Sequence, residues 1–337
     1  MVIPVSLGAQ SYEITLVPGA LSHAADYLSL NRRVLVVTDS GVPQAYAAAI
    51  AAACPTSRIC TLPAGEASKN FDSFHLLLRQ MLRMEMDRSD CVVAVGGGMV
   101  GDLAGFAAAS YMRGIDFYNV PTTLLSQVDS SIGGKTAIDM DGVKNIVGAF
   151  HQPRGVLIDP ETLRSLPRRQ VAAGLAESIK MAMTCDEELL SYIESAPASD
   201  PAAALPEIIA RSLAIKARVV EQDPTEKGLR RVLNFGHTIG HAVESQSQGA
   251  LLHGECVALG MLPMCAPALR PRLAAILEKY GLPTRIQADP AQLRPYLLHD
   301  KKARSGSITT VEVDIPGTFR LEKRMPEEIL SRLEATL

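Results

Sequence analysis

The segment Cys91–Met112, CVVAVGGGMVGDLAGFAAASYM, contains the clearest change of pattern in the chain. It begins with a continuous apolar run rich in valine, which is typical of a strand buried on both faces of a sheet. A cluster of glycines follows, and after it alanine and other apolar residues recur at helical spacing. The segment therefore predicts a strand, a tight turn and a helix in direct succession.

The same alternation of strand and helix extends outward from this segment on both sides. Short apolar runs that end in turn residues predict further strands at RVLVVTDSG (33–41), SRICTLP (57–63), FYNVPT (117–122) and GVLIDP (155–160). Helical spacing predicts helices at VPQAYAAAIAAA (42–53) and DSFHLLLRQMLRM (72–84). Strands that alternate with helices imply a parallel sheet covered by helices on both faces.

After about residue 165 the sequence pattern becomes mostly helical. Helices are predicted at RRQVAAGLAESIKMAMT (168–184), AALPEIIARSLAIKARVVEQ (203–222), NFGHTIGHAVES (234–245) and RLAAILEKYG (272–281). The prolines of LPMCAPALRPRL (262–273) predict a broken helix, and strand character returns only at ITTVEVDIP (308–316). We therefore predict an α/β domain over residues 1–165 and a mostly helical domain over residues 166–337.

Composition and charge exclude several classes of function. The chain has 337 residues, of which 47% are hydrophobic and 20% charged, as in a globular protein. A net charge of -3 without any basic run argues against nucleic-acid binding, and no apolar run approaches the ~18 residues of a membrane span. No signal peptide is visible, and the six cysteines form no CxxC pair, so we expect a cytoplasmic protein. Anionic small molecules remain compatible partners.

The glycine cluster suggests a binding site for phosphate groups. Gly96, Gly98 and Gly101 match the pattern GxGxxG, in which glycine lets backbone N–H groups approach a pyrophosphate at a helix N-terminus. The cluster follows the third predicted strand, not the first, and no acidic residue ends a strand ~20 positions later, so an ordinary Rossmann dehydrogenase fits poorly. Two interpretations stay open: a dinucleotide held by a different α/β arrangement, and a tight turn without a ligand.

A polar, glycine-rich segment, PTTLLSQVDSSIGGKTAIDMDGVKNIVGAFHQP (121–153), follows the next strand. It is too long and too polar for the core, and we predict a loop. Lys135, Lys144 and Asn145 stand close together in it and could surround a phosphate. A solvated surface loop is the alternative.

Three histidines in NFGHTIGHAVESQSQGALLHGE (234–255) raise the question of a metal site. His237 and His241 are four residues apart and share one helix face, although HTIGH lacks the glutamate of a zinc-protease HExxH motif. The neighbouring glycines strengthen a functional interpretation, because glycine inside a helix costs about 1 kcal/mol relative to alanine. A catalytic zinc usually has three protein ligands. Spacing nominates His237, His241 and His253 with Glu177 as a rival, and it also allows a chance pair.

Six motifs in this order resemble the 3-dehydroquinate synthase family. They are GGGMVGDLAGFAAASYMRG (96–114), VPTTLLSQVDSSIGGKTAID (120–139), KNIVGAFHQP (144–153), AAGLAESIK (172–180), LNFGHTIGHAVE (233–244) and LLHGECVALGM (251–261). The resemblance implies a Rossmann-like α/β domain with atypical NAD binding, a mostly α-helical metal-binding domain, and a homodimer. It implies the cofactors NAD and a divalent metal, usually Zn²⁺ with Co²⁺ as an alternative.

The resemblance also implies an activity, the conversion of 3-deoxy-D-arabino-heptulosonate 7-phosphate into 3-dehydroquinate and phosphate in the shikimate pathway. The implied steps are transient oxidation by NAD, phosphate elimination, re-reduction, ring opening and aldol cyclisation. Sibling sugar-phosphate cyclases act on substrates without a carboxylate and tend to change the residues that correspond to Lys216, Arg230 and Asn234, all of which match here. Metal-dependent polyol dehydrogenases of similar fold are a second, less favoured alternative.

Site residues follow from the resemblance, residue by residue. The implied metal ligands are Glu177, His237 and His253, and His241 is left near the substrate. The residues implied for NAD are Asp39, Glu66, Lys69, Gly97, Gly98, Met99, Asp102, Thr122, Thr123, Leu125, Asp129, Ser130, Lys144, Thr162, Leu163 and Ser165. Those implied for the substrate are Arg113, Asp129, Lys135, Asn145, Lys180, Lys216, Arg230, Asn234, His241 and Lys301 or Lys302. The catalytic residues among or beside them are Lys135, Lys180, His241, Asn234 and Glu226.

Overall fold

The computed structural model describes residues 1–197, 201–287, 290–298 and 306–334, which form two compact units. The first unit comprises Met1–Leu166 and Lys216–Pro224, and the second comprises Pro167–Ile215 and Thr225–Leu337. The domains predicted from sequence texture, 1–165 and 166–337, stay a prediction. Each unit is described by itself below.

The first unit is built on a largely parallel sheet. Its strands are β1 (Val2–Val5), β2 (Tyr12–Leu16), β3 (Arg33–Asp39), β4 (Thr56–Leu62), β5 (Cys91–Gly96), β6 (Asp116–Pro121) and β9 (Gly155–Ile158), and a separate hairpin contains β7 (Lys135–Met140) and β8 (Val143–Phe150). The helices of this unit are α1 (Gln44–Ala52), α2 (Phe71–Arg83) and α3 (Gly98–Ser110). Among the described residues the sheet order is β1-β2-β9-β6-β5-β3-β4, and only the β1–β2 pair is antiparallel.

Alternate residues of the central strands enter two different cores. On one face Leu35 and Val92 pack with residues of α2 and α3 such as Leu103. On the other face Val34 and Val93 pack with residues that include Ile50 of α1. This period of two explains why the central strands are apolar throughout, because both faces of the sheet are covered. The prediction of a parallel sheet with helices on both faces is confirmed.

The polar segment predicted as a loop instead forms the antiparallel hairpin β7–β8, and that prediction is wrong. The turn residues Asp141 and Gly142 have φ of 51° and 77°, which is the left-handed pair that closes a two-residue hairpin. Thr136 and Ile138 lie on the same face of β7 and are both buried, so the hairpin has an inner side. An Asp-Gly pair between residues of high strand propensity is a hairpin signal, and the many polar neighbours obscured it.

The second unit is mostly helical, as predicted. Its helices are α4 (Arg168–Cys185), α5 (Glu187–Ser195), α6 (Pro201–Gln222), α7 (His237–Ser247), α8 (His253–Met264), α9 (Arg270–Lys279), α10 (Pro290–Leu298) and α11 (Pro326–Glu334). The residues of α6 from Lys216 onward belong to the first unit. A small hairpin is formed by β10 (Ile308–Glu312) and β11 (Arg320–Arg324). In the described part of the chain, no helix combines the length and apolar character needed to cross a membrane.

Two helix boundaries need comment. The helix predicted from residue 234 starts only at His237, because Gly236 is left-handed with φ 76° and the preceding Leu229–Asn234 is a 3₁₀ helix. The predicted broken helix is confirmed, since α8 ends at Met264 and α9 begins at Arg270. The break is anchored by a bridge between Cys265 and Val313.

Glycines let α8 lie directly against the backbones of α4 and α7. A Cβ on Gly254 would lie 1.9 Å from the carbonyl oxygen of Ala173 in α4. A Cβ on Gly260 would lie 2.0 Å from the carbonyl oxygen of Gly236, at the start of α7. Since no side chain tolerates such distances, close packing of the three helices accounts for the helix-interior glycines despite their propensity cost.

We expect Gly254→Ala to lower the thermal unfolding midpoint of the protein, because the new methyl group would push α8 away from α4. Overpacking of this kind typically costs about 1–3 kcal/mol or more. Circular dichroism melts would measure the change. The matched control is Gly155→Ala in β9, whose added Cβ would make an ordinary 3.4 Å contact with Tyr118. Equal midpoints for the two variants would contradict the packing argument.

Candidate active site

The turn from β5 into α3 forms a cradle with polar walls. Gly97 has an extended conformation and precedes α3, and no side chain caps this helix, so its first backbone N–H groups remain available. A Cβ on Gly98 would lie 3.0 Å from Ser130 Oγ, and one on Gly97 would lie 3.0 Å from Thr123 Cγ2. Ser130 Oγ is buried and makes no hydrogen bond among the described residues. A narrow space beside a helix N-terminus, with an unsatisfied hydroxyl, suits a phosphate oxygen.

Lys69 links this helix to the β7–β8 hairpin. Its Nζ donates to Asp102 Oδ2 of α3 at 2.5 Å and to Asn145 Oδ1 of β8 at 2.5 Å. Lys69 is only 3% exposed. Burial lowers the pKa of Lys69, but the carboxylates of Asp102 and Glu66 outweigh it and hold the pKa above its usual value, so the ammonium stays charged.

A single π-helical turn, Ser126–Ser130, carries the next group of predicted residues and follows Leu125. Gln127 in this turn is fully buried, and its Nε2 donates to Pro121 O, Asp159 O and Thr162 Oγ1 at 3.2, 3.1 and 3.0 Å. The turn is thereby tied to the end of β6, where Thr122 follows, and to the 3₁₀ segment Pro160–Ser165 with its predicted NAD residues. Sequence reasoning did not nominate Gln127, because its burial is visible only in the fold.

Lys216 contacts the same π-helical turn within the first unit. Its Nζ donates to the carbonyl oxygen of Asp129 at 2.8 Å and to Asp129 Oδ1 at 2.6 Å. Lys216 is 4% exposed, so the ion pair is nearly removed from water. The pair fixes both side chains in place.

The structure gives the positions of further predicted residues of the first unit. Asp39 ends β3, where its Oδ1 accepts from the backbone N–H of Gly41 at 2.8 Å. Lys135 begins β7, Lys144 lies in β8, and both are exposed. Arg113 is exposed beyond the C-terminal end of α3, so the length of that helix, about 20 Å, separates it from the glycine turn.

In the second unit, α4 presents Glu177 and Lys180 on one face, three residues apart. Both side chains are 1% exposed, and Lys180 Nζ forms an ion pair with Glu177 Oε2. Burial raises the pKa of Glu177, but the Lys180 ammonium and His253 outweigh it and lower the pKa to about 2. Glu177 is therefore a carboxylate inside the protein.

The three histidines lie around this carboxylate. Glu177 Oε1 lies 3.7 Å from His237 Nε2 and 3.4 Å from His253 Nε2. The ring centroid of His241 is 5.2 Å from that of His237 and 5.8 Å from that of His253. One ligand nitrogen from each of the three rings lies within 4.8 Å of the others, which is close enough to share one metal ion. His237 is buried and His253 partly buried, whereas His241 is exposed.

Hydrogen bonds orient two of the imidazoles. His237 Nδ1 lies 3.1 Å from the carbonyl oxygen of Phe235, and His253 Nδ1 lies 3.0 Å from Glu244 Oε2. Burial and the Lys180 ammonium lower the pKa of His237 well below its usual value, so the ring is neutral with a lone pair on Nε2. Burial lowers the pKa of His253, but Glu177 and Glu244 outweigh it and raise the pKa to about 10.

The donor set fits a divalent metal. Both oxygens of Glu177 are buried, and neither makes a well-directed hydrogen bond with the described residues, although Lys180 and two imidazoles lie close. A carboxylate and imidazole nitrogens are ligands that zinc and cobalt accept. Glu244 was missed at the level of sequence, although it lies seven residues after His237 and therefore on the same side of α7.

The segment before α7 brings further predicted residues together. Asn234 Nδ2 donates to Glu226 Oε1 at 2.6 Å. Glu226 has a left-handed backbone with φ 58°, a conformation that a non-glycine residue adopts at a cost. Arg230 lies in the 3₁₀ helix between them and is 2% exposed. Lys301 and Lys302 lie outside the described residues.

Two family models match this chain, and they cover successive parts of it. Residues 59–173 match the family model described as 3-dehydroquinate synthase N-terminal, and residues 174–303 match the one described as 3-dehydroquinate synthase C-terminal. A 3-dehydroquinate synthase from Symbiobacterium thermophilum is 47% identical over an alignment 335 residues long. The alignment covers 92% of this chain and 93% of that protein.

Two solved structures share the whole fold. A 2-deoxy-scyllo-inosose synthase complexed with carbaglucose-6-phosphate, NAD⁺ and Co²⁺ superposes with a TM-score of 0.90 at 26% identity, covering 100% of both chains. A 2-epi-5-epi-valiolone synthase from Streptomyces hygroscopicus with NAD⁺ and Zn²⁺ has a TM-score of 0.90 at 27% identity, covering 98% of both chains.

We expect Glu177→Ala to destabilise the metal-free protein by about 3–5 kcal/mol, because the Lys180 ammonium would stay buried without its carboxylate. Combining Glu177→Leu with Lys180→Met removes both buried charges and is expected to restore most of the lost stability. Thermal unfolding in the presence of a chelator measures both proteins. If the doubly substituted protein melted no higher than Glu177→Ala, the buried pair would not explain the loss.

Proposed function

The chain belongs to the 3-dehydroquinate synthase family, and we propose that it carries out this family's reaction with NAD and one divalent metal ion. It converts 3-deoxy-D-arabino-heptulosonate 7-phosphate into 3-dehydroquinate and phosphate. The observation that carries the proposal is the close contact of Glu177 with His237 and His253 in a chain both of whose halves match the family.

We assign the metal to Glu177, His237 and His253. An imidazole nitrogen of each of these two histidines lies within 3.7 Å of Glu177 Oε1, and His241 lies at the exposed edge of the cluster. Bound there, Zn²⁺ or Co²⁺ would supply positive charge that polarises hydroxyl and carbonyl oxygens of the substrate. The two cyclases of similar structure, solved with Co²⁺ and Zn²⁺, support this choice of ions.

We assign NAD to the first unit, where it would supply reversible hydride chemistry. The backbone N–H groups at the start of α3 and the hydroxyl of Ser130 are suited to hold pyrophosphate oxygens. Lys69 holds the carboxyl group of Asp102 in a fixed position, where its oxygens can accept hydrogen bonds from ribose hydroxyls. The remaining residues implied for NAD stay predictions.

The substrate carries a carboxylate and a phosphate, and the chain offers cations held in fixed positions. Lys216 is held by Asp129 in the first unit, and Lys180 is held by Glu177 in the second. Arg230 is buried, and its guanidinium can bind a carboxylate with two parallel hydrogen bonds. Because Asn234 donates its amide N–H to Glu226, its Oδ1 is oriented to accept a hydrogen bond from a substrate hydroxyl.

The net reaction releases phosphate without net oxidation, so we assign the enzyme to the carbon–oxygen lyases. Homodimer formation and a cytoplasmic location, both expected from the sequence, are part of this proposal. So are the substrate contacts of Arg113, Lys135 and Asn145 and the role of Lys144 toward NAD.

A sibling cyclase acting on a sugar phosphate without a carboxylate is the alternative function. The two similar solved structures are a 2-deoxy-scyllo-inosose synthase and a 2-epi-5-epi-valiolone synthase, at 26% and 27% identity. The curated 3-dehydroquinate synthase is 47% identical, and Lys216, Arg230 and Asn234 match the dehydroquinate pattern. These residues favour a substrate with a carboxylate.

We expect purified protein with zinc and sub-stoichiometric NAD to release phosphate from the heptulosonate phosphate in large excess over NAD, with no accumulation of NADH. Glucose 6-phosphate, which lacks the carboxylate, is the control substrate and should release none. Phosphate release and NADH absorbance would be followed together. Stoichiometric NADH without phosphate would favour a polyol dehydrogenase and overturn the synthase proposal.

Separate roles are expected for the two histidines of HTIGH. Substitution of a residue that only orients a metal ligand weakens metal binding by about 10- to 100-fold. His237→Ala and His253→Ala remove a ligand itself, so we expect a larger loss of metal affinity. His241→Ala should keep the metal and lose activity mainly through kcat. Metal content after dialysis and steady-state kinetics measure these effects. Retention of metal by His253→Ala together with its loss from His241→Ala would show that the ligand assignment is wrong.

A further inference from the structure

Glu244 is a partly buried carboxylate on α7 to which neither the sequence motifs nor the proposed reaction assigns a role. Its side chain is 13% exposed, and its Oε2 lies 3.0 Å from His253 Nδ1. We propose that Glu244 is a positioning residue that sets the orientation and tautomer of His253 and thereby tightens the metal site. This inference rests on the proposed function, in which Glu177, His237 and His253 hold the metal.

The chemistry of the contact determines which nitrogen is free. A carboxylate has only acceptor oxygens, so His253 Nδ1 must carry the proton and donate to Glu244. When the ring is neutral, as it must be to bind a metal, the lone pair is then on Nε2, the nitrogen that lies 3.4 Å from Glu177 Oε1. Metal-binding histidines usually donate their second N–H to a carboxylate or carbonyl, which orients the ring and makes it a stronger donor.

His237 is oriented by the same kind of bond from a different source. Its Nδ1 lies 3.1 Å from the backbone carbonyl of Phe235, which comes from its own chain segment. For His253, the first residue of α8, a side chain from α7 performs this role instead. Of the two orienting bonds, only the one to Glu244 can be removed by a side-chain substitution.

The backbone at His253 is held independently of Glu244. Glu255 Oε2 accepts the backbone N–H of Leu252 at 2.8 Å, and Arg169 of α4 pairs with Glu255 at 2.6 Å. Arg169 also donates to the carbonyl oxygen of Ala250 at 2.8 Å. Since these bonds anchor the start of α8, loss of Glu244 should free the imidazole ring without displacing the helix.

The test compares Glu244→Ala and Glu244→Gln with the wild type in the full-length protein. The control is Glu194→Gln, the same chemical change at a half-exposed ion pair with Arg272. Zinc affinity is measured by competition with a chelator, and the geometry of the site by the visible absorption of the Co²⁺-loaded protein. Melting of the metal-free proteins shows whether the fold is intact.

We expect Glu244→Ala to bind zinc about 10- to 100-fold more weakly than the wild type and to change the Co²⁺ spectrum. Glu244→Gln keeps an acceptor oxygen without the charge and should fall between them. Glu194→Gln should match the wild type. Metal-free Glu244→Ala should still melt in one cooperative transition, so that its weaker zinc binding is not the result of an unfolded protein.

Three results would overturn the proposal, and they are distinguishable. Equal zinc affinity in Glu244→Ala and the wild type would remove the positioning role and leave the metal site intact. Loss of zinc as complete as in His237→Ala would make Glu244 itself a ligand. Wild-type protein that bound no zinc would overturn the metal assignment of the proposed function and this inference with it.

Discussion

The active-site residues of the helical unit depend on the direct contact of helix backbones. Helix α8 meets α4 at Gly254 and the start of α7 at Gly260, at distances that leave no room for a Cβ. Glu177 belongs to α4, His237 to α7 and His253 to α8, so the three side chains can meet only if these helices approach closely. Close packing at these glycines offsets their propensity cost and lets residues far apart in sequence meet at the proposed metal site.

Both units contain ion pairs between a buried lysine and a carboxylate. Lys69 with Asp102, Lys180 with Glu177 and Lys216 with Asp129 are lysine–carboxylate pairs whose lysine side chains are 4%, 1% and 5% exposed. A buried ammonium without a partner would lose its proton, whereas a carboxylate alongside keeps it charged. The paired carboxylates hold these lysine side chains in place before an anionic ligand arrives, which reduces the entropy lost on binding.

The predictions from sequence succeeded where a local pattern was sufficient. The valine-rich strands, the glycine turn after Cys91–Gly96 and the long amphipathic helices follow from periodicity within each segment. The prediction failed at residues 135–150, where polar residues concealed a hairpin closed by Asp141 and Gly142. Gln127 and Glu244 were missed because their importance lies in burial and in contacts with other segments, which no local pattern records.

The sequence by itself determined the α/β and helical character of the two parts, the glycine turn and the family motifs. Spacing placed His237 and His241 on one helix face and left open which groups share a metal, and the family motifs implied Glu177, His237 and His253. Only the tertiary structure brought Glu177 to His237 and His253 and placed Glu244 behind His253. The physical reason is that helical periodicity is set by hydrogen bonds between neighbouring residues, whereas the approach of α4, α7 and α8 depends on glycines packed against distant backbone.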